Sequence, residues 1–295
     1  MFVLLNSDVW ACTQVQQAVY DPQTYYASVS GLQGNALKAA LNDIIKNHTR
    51  YDYSPCTWEI LKQADEHPAD PNSVIGIYTR RAILKTDRDQ GGNTPDYWNR
   101  EHVWPKGHGF PNSGQYAYTD THMLRASDKS VNADRGNRDF ASGGIQHSEC
   151  TGCYYTADTW EPPDAVKGDI ARIMFYMVVR YEGSDSSSTP DLELVDNTTA
   201  SGQPLMGELC ELLQWHIDDP VSAAETGRNG VIYSWQGNRN PFIDHPEYAL
   251  PIWGAECGIV IAEEEDNDIP FPLWMNLLLL PGIIFIQKMF HGRRK

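Results

Sequence analysis

The chain predicts an α+β fold, a mainly helical single domain enclosing a short mixed region of strands at residues 97–140. Three observations carry this. Apolar residues recur at helical spacing in four separate segments, and a short continuous apolar run, "SVIGIY" at Ser73–Tyr78, reads as a buried strand. No internal repeat interrupts the 295 residues, and 41% hydrophobic content is enough for a core, so disorder is not the default reading.

The first helical segment lies in Gly31–Arg50, where Leu37, Leu41, Ile44, Ile45 and His48 share a face behind the opening Gly34-Asn35. After the Ser73–Tyr78 strand, a Gly/Asn/Asp-rich connection, Thr86–Asp96, delivers the chain to the mixed region. The clearest helix is Asp164–Glu182: Pro162-Pro163-Asp164 is a start signal, and Ile170, Ile173, Met174, Met177, Val178 and Tyr181 form a core stripe. Ser184–Thr189, "SDSSST", reads as a surface loop. Leu205, Leu209, Leu212, Leu213 and His216 mark a further helix behind Pro204. A last one, Val221–Trp235, is stopped by Gly237 and Pro241 in "QGNRNPFIDHP". The domain is expected to run from residue 25 to 254.

The ends read differently. Residues 1–24 begin "MFVLLNSDVWAC", with four apolar residues in a row, no basic start and an early Asp8, which suggests a truncated leader. Residues 255–269 form an acidic linker, and 270–295 an apolar tail ending in Arg293-Arg294-Lys295. The apolar stretch Leu273–Ile286 would rise about 21 Å as a helix, short of a hydrocarbon core of roughly 30 Å, and about 26 Å if carried to Phe290. The acidic, apolar, basic succession is similar to bacterial C-terminal sorting tails, which would anchor the chain to a membrane with the basic end inside. The other reading is a buried C-terminal core helix.

Net charge is −16, which excludes coating of nucleic acid by bulk charge. Charge is uneven, however. Arg80–Phe140 carries ten Lys/Arg against eight Asp/Glu, leaving −18 on the rest, so an acidic body surrounds a locally basic patch. Six scattered cysteines fit disulfides in an exported protein, with the pairing unreadable. His147, Cys150 and Cys153 in "HSECTGC" offer three Zn²⁺ ligands, but no second CxxC completes a tetrahedron, so a disulfide or two free thiols is the better reading.

Inside the basic patch, "YWNREHVWPK" at residues 97–106 sets Glu101 beside His102, and a histidine next to a carboxylate is a candidate general base near neutral pH. About thirty residues on, "DTHMLRASDKSVNADRGN" adds Asp120, His122, Arg125, Asn132, Arg135 and Asn137. A carboxylate with an amide oxygen suits a hard cation such as Mg²⁺, or Mn²⁺ or Ca²⁺ in the same oxygen cage.

These two motifs, with "EPPDAVKGDIARIMFYM" and "QGNRNPFIDHP" in order, resemble the bacterial endonuclease I family over roughly residues 25–253. The resemblance implies a ββα-metal (His-Me) finger core within the helical domain, and non-specific cleavage of DNA or RNA to 5′-phosphate products. It implies Glu101 and Asn132 as metal ligands and His102 as the base. The finger is expected as a strand at Asn99–Trp104, a second near Thr121–Arg125 and a helix from about Asp128 to Arg138. Adjacent side chains of a regular strand face opposite ways, so the first strand should end or twist at Glu101-His102, with Pro105 just beyond.

Arg100, Arg125 and Arg135 are candidate phosphate clamps, because a guanidinium matches a phosphate with two parallel hydrogen bonds. Asn238 and Arg239 are candidate substrate contacts. Each has a plainer rival: Asn132 as a helix cap, Arg135 paired with Asp139, His122 as an orienting or core residue, and Asn238-Arg239 in a turn locked by Asp244. The expected protein is a monomeric enzyme, secreted or on a bacterial cell surface, acting on nucleic acid. The rival functions are an inactive nucleic-acid-binding protein and a phosphoesterase for small esters.

Overall fold

The computed structural model describes residues 12–92 and 94–259. Residues 1–11 of the expected leader, residues 260–269 of the expected acidic linker and the whole apolar tail lie outside the described residues, so the anchoring expectation does too. Among the described residues no helix is long and apolar enough to cross a membrane.

The elements that build the site are, in chain order, α1 (Gly34–Ile45), α2 (Cys56–Ala64), β1 (Asp70–Ile75), β2 (Trp98–His102), β3 (Leu124–Asp128), α3 (Lys129–Arg135), α4 (Lys167–Arg180), α5 (Leu209–Asp218) and α6 (Ala223–Gln236). The α+β class holds. α4 is the central rod, opened by a 3-10 turn at Asp164–Val166 after the two prolines, and buried throughout Ile170–Arg180. Burying a rod of this kind means burying its charges with partners. Arg172 donates to both oxygens of Glu225 on α6 at 2.6 and 2.8 Å, and Arg180 donates to Asp185 at 2.7 Å and to His48 Nδ1 at 2.9 Å. α6 itself starts on a capping box between Ser222 and Glu225 and ends at Gly237, whose φ of 81° a side chain would resist.

Among the described residues, strands occupy four small sheets. β1 lies between Glu66–His67 and Ala82–Leu84, and β2 pairs with β3 antiparallel. A four-stranded patch spans residues 139–161, and Glu193–Leu194 runs parallel to Leu205–Met206. The apolar run at Ser73–Tyr78 is a strand only to Ile75. It then turns at Gly76, and the Ile77 amide donates to Ala126 O on the outer edge of β3, which carries Tyr78 over the β2–β3 pair.

Three expectations change. Leu205 belongs to a strand, and the helix starts only at Leu209, because Leu205 and Met206 pair with Glu193 and Leu194 instead of coiling. Ser184–Thr189 is not a plain surface loop: Ser187 and Thr189 are buried where they hold the Tyr116–Thr119 turn of helix, through Ser187 O to the Tyr116 amide at 3.0 Å and Thr189 Oγ1 to the Ala117 amide at 3.3 Å. The folded unit runs past Gly254, since Cys257 is disulfide-bonded to Cys210 on α5. The other disulfides are Cys12–Cys56 and Cys150–Cys153, so the cysteines of "HSECTGC" take the disulfide alternative rather than offering thiolates to zinc.

Histidines away from the finger give the fold a pH dependence. Burial holds His48, His122 and His216 down to about 4 each, from an ordinary 6.5. Between those values the unfolded chain binds protons that the folded one refuses. The share of stability that these histidines contribute is therefore full above pH 6.5 and falls as pH drops toward 4, by about 1.4 kcal/mol per pH unit for each, outweighing the opposite effect of the raised Glu101 carboxyl. Urea unfolding at about pH 7.5 and about pH 5 should show the lower midpoint at the acid value, and equal midpoints would contradict neutral buried imidazoles.

Candidate active site

β2, β3 and α3 form a ββα unit in which each strand residue has a defined opposite: Glu101 faces Arg125 and His102 faces Leu124. The register is regular to the end. Thus Asn99 and Glu101 point to one side of β2, and Arg100 and His102 to the other. The strand does stop at His102, as expected, but without a twist between the two residues. They can serve one reacting group only across the outer edge of β2. Among the described residues, another backbone segment bonds to that edge only at Trp98.

On the Asn99 and Glu101 side, α3 lays two residues one turn apart over two residues one pleat apart. Asn132 Nδ2 donates to Asn99 Oδ1 at 2.7 Å, and Arg135 Nη1 lies 3.3 Å from Glu101 Oε1. The Tyr78 hydroxyl donates to the same Oε1 at 2.7 Å. These bonds settle which atoms remain. Glu101 Oε2 and Asn132 Oδ1 are the unspent oxygens, both hard donors on neighbouring elements, so the pair fits a divalent cation of the Mg²⁺ type. Burial pushes the Glu101 carboxyl up to about 7, against the opposing pull of Arg135 and the Tyr78 hydroxyl. Asn132 and Glu101 are not bonded to each other: α3 is tied to β2 by two separate contacts, Asn132 to Asn99 and Arg135 to Glu101. The cap alternative for Asn132 fails, because it sits inside α3 and Asp128 holds the cap position.

On the other side, His102 Nε2 lies 3.0 Å from Tyr118 O. A carbonyl only accepts, so Nε2 carries the proton and Nδ1 keeps its lone pair. Burial, with Lys106, Arg100 and Arg135 nearby, holds the imidazole down to about 3, so the ring is neutral at ordinary pH. Tyr53 stacks on it at 5.7 Å and Tyr118 meets it edge-on at 4.8 Å.

The three arginines differ. Arg125 is spent inside the protein, with Nε on Asp65 at 3.0 Å and Nη1 near Asp169 at 3.4 Å. Arg135 is fully buried and donates to the carbonyls of His102 at 3.1 Å and Val103 at 2.7 Å, while Asp139 is turned instead to Thr199 and the Gly207 amide. Arg100 has no carboxylate partner among the described residues. Its guanidinium lies 3.3 Å from the Tyr53 ring centroid and 4.0 Å from that of Trp58, and donates to Tyr53 O and, at 2.9 Å, to Thr57 Oγ1. Burial brings it down to about 10, still charged at neutral pH.

Asn238 and Arg239 take the plainer role. Arg239 donates twice to Asp244 at 2.6 Å, and Asn238 Nδ2 donates to Ile45 O at 3.0 Å and to the Tyr176 hydroxyl at 2.8 Å, so neither side chain is left for a substrate. His122 is likewise a core residue, with its Nε2 3.1 Å from Asn238 O. A hollow of about 400 Å³ lined by Asp65, Arg80, Arg125, Asp169 and Arg228 does not include Glu101, His102 or Asn132.

Sequence reasoning missed Asn99, Tyr78, Tyr118 and Tyr53. Only Asn99 carried a signal, since the period of two in a strand puts it on the Glu101 face. The others reach the site from separate loops.

β2 thus carries a neutral, oriented imidazole on one side and a carboxylate and an amide with free oxygens on the other, groups of the kind a hydrolase uses. Residues 33–247 match the family described as Endonuclease I. The chain is 51% identical over 234 residues to an extracellular ribonuclease of Bacillus amyloliquefaciens and 49% identical over 234 residues to one of Bacillus subtilis (strain 168), covering 79% of both partners in each case. It is 26% identical over 183 residues to an endonuclease-1 of Buchnera aphidicola subsp. Baizongia pistaciae, covering 57% of this chain and 66% of that one. The chain belongs to the endonuclease I family and is an endonuclease.

Proposed function

We propose that the protein is an exported, sequence-tolerant, metal-dependent endonuclease that hydrolyses RNA, and DNA by the same chemistry, to 5′-phosphate products. The observation that carries the reading is the division of labour across β2, with a free imidazole Nδ1 on one side and two unspent hard oxygens on the other. The ββα unit then acts as a His-Me finger, with the phosphodiester lying along the open edge of β2.

His102 Nδ1 takes one proton from a water whose oxygen attacks phosphorus, the bond from phosphorus to the 3′ oxygen breaks, the departing 3′ oxygen takes a proton from solvent water to become a hydroxyl, and the proton on Nδ1 is later lost to solvent. Tyr118 O holds the ring in the tautomer this requires. Arg135 fixes the His102 and Val103 carbonyls, so it positions the strand end. Of the three arginines, Arg100 is the clamp, because its charge is the one no carboxylate neutralises. A divalent cation held by Glu101 and Asn132 would offset the charge that builds on the phosphate and the departing oxygen. Contacts to phosphate carry no base information, which accounts for sequence tolerance. RNA is placed first because two relatives at about half identity are named extracellular ribonucleases; those names and the three disulfides support export.

The test is incubation of RNA and of plasmid DNA with the protein, in Mg²⁺ or in EDTA. Cleavage in Mg²⁺ that EDTA abolishes, leaving 5′-phosphate ends, is expected. Cleavage unaffected by EDTA overturns the metal dependence, and no cleavage of either polymer overturns the activity.

A further inference from the structure

We propose that Tyr53 and Tyr118 form a stacking platform for an unpaired base beside the scissile phosphate, so that the site takes single strands in preference to duplexes. The inference rests on His102 as the reacting centre and adds the substrate class. Both rings are half-buried, lie 4.8 Å apart edge to face, and flank His102 at 5.7 and 4.8 Å. Both pack on the margin of the main core rather than inside it: Tyr53 precedes α2 on a loop fastened by Arg100 and the Cys12–Cys56 disulfide, and Tyr118 stands on the short Tyr116–Thr119 turn.

Four cations near these rings lack the carboxylate partners that most buried arginines among the described residues have. Arg125, Arg135, Arg172, Arg180, Arg228 and Arg239 are each ion-paired. By contrast Arg50, Arg88, Arg100 and Lys106 form no ion pair among the described residues. All four sit against aromatic rings: Arg50 at 5.9 Å from Tyr116, Arg88 at 5.3 Å from Trp58, Arg100 at 3.3 Å from Tyr53 and Lys106 at 5.4 Å from Tyr118. In a chain of net charge −16, unneutralised cations interleaved with aromatic rings form a surface for a flexible polyanion with exposed bases. A duplex supplies the phosphates, but its bases are already stacked on one another, so the rings add nothing to its binding.

Binding in EDTA, where no cleavage is needed, tests this on a fluorescent 2-aminopurine oligoribonucleotide, single-stranded or annealed to its complement. The unmutated protein is expected to quench the single strand's fluorescence by stacking and to bind it about tenfold tighter than the duplex. Tyr53→Ala with Tyr118→Ala should erase that tenfold preference, and Tyr53→Phe with Tyr118→Phe should keep it. Equal affinity of the unmutated protein for both forms, or an equal loss for both in the Ala variant, overturns the proposal. The quenching arm needs no variant, so it decides even where the Ala variant does not fold. Failure of the nuclease reading would appear separately, as absent cleavage in Mg²⁺.

Discussion

His102→Ala lowers the turnover of RNA by about 10² to 10⁴, the contribution of a positioned general base. The size follows from how completely the site commits that ring. Its Nε2 proton is fixed on Tyr118 O, Nδ1 is left with its lone pair, and burial beside Lys106, Arg100 and Arg135 keeps it unprotonated. Removing the ring leaves the Tyr118 carbonyl unpaired, a stability cost of about 1–3 kcal/mol, so turnover is compared under conditions where both proteins are folded. The loss should fall on kcat, with KM for RNA changed little, because Arg100 and the aromatic rings remain. A kcat within threefold of the unmutated enzyme would remove His102 from the chemistry.

Asp65→Ala has the largest expected effect on stability, about 3–5 kcal/mol in urea unfolding. The Asp65 carboxylate is fully buried and accepts from Arg125 Nε at 3.0 Å, Arg228 Nε at 2.8 Å and the Ala126 amide at 2.7 Å. Without it the Arg228 guanidinium is buried with carbonyls alone, and Arg125 keeps only Asp169 at 3.4 Å. Because Ala126 lies in the middle of β3, the partner strand of Glu101 and His102, cleavage should fall with stability. Asp65→Asn, which keeps an accepting oxygen, should lose less. A loss below about 1 kcal/mol for the alanine variant would mean the two arginines find other acceptors.

What the sequence made legible was what sits close along the chain. Glu101 and His102 are neighbours, Asn132 is in the helix directly after the second strand, and the residue types alone suggest a base and an oxygen-donor pair. The stripe of α4 was legible because fourteen residues of helix give its period room to repeat. The two- and three-residue strands of the 139–161 patch are too short for a period of two to register, and α2 was missed although Trp58, Ile60 and Leu61 are buried. Arg125 looks like a phosphate clamp in sequence because its carboxylate partners on other elements are invisible there, whereas Asp244, the partner of Arg239, lies only five residues on and could be read. Asp65 is sixty residues from Arg125, so nothing local announces the pair. The sense of Glu101 and His102 on opposite sides of one strand became clear only with the open edge of β2.

Metal binding by the catalytic variants tests that division most directly. Mn²⁺ titration followed by electron paramagnetic resonance, on the unmutated protein, His102→Ala and Glu101→Gln, separates the base from the ligand. His102→Ala should bind Mn²⁺ as the unmutated protein does and yet fail to cleave, whereas Glu101→Gln should lose the binding. A Glu101→Gln protein that holds the ion with unchanged affinity would contradict the assignment of the two sides of β2.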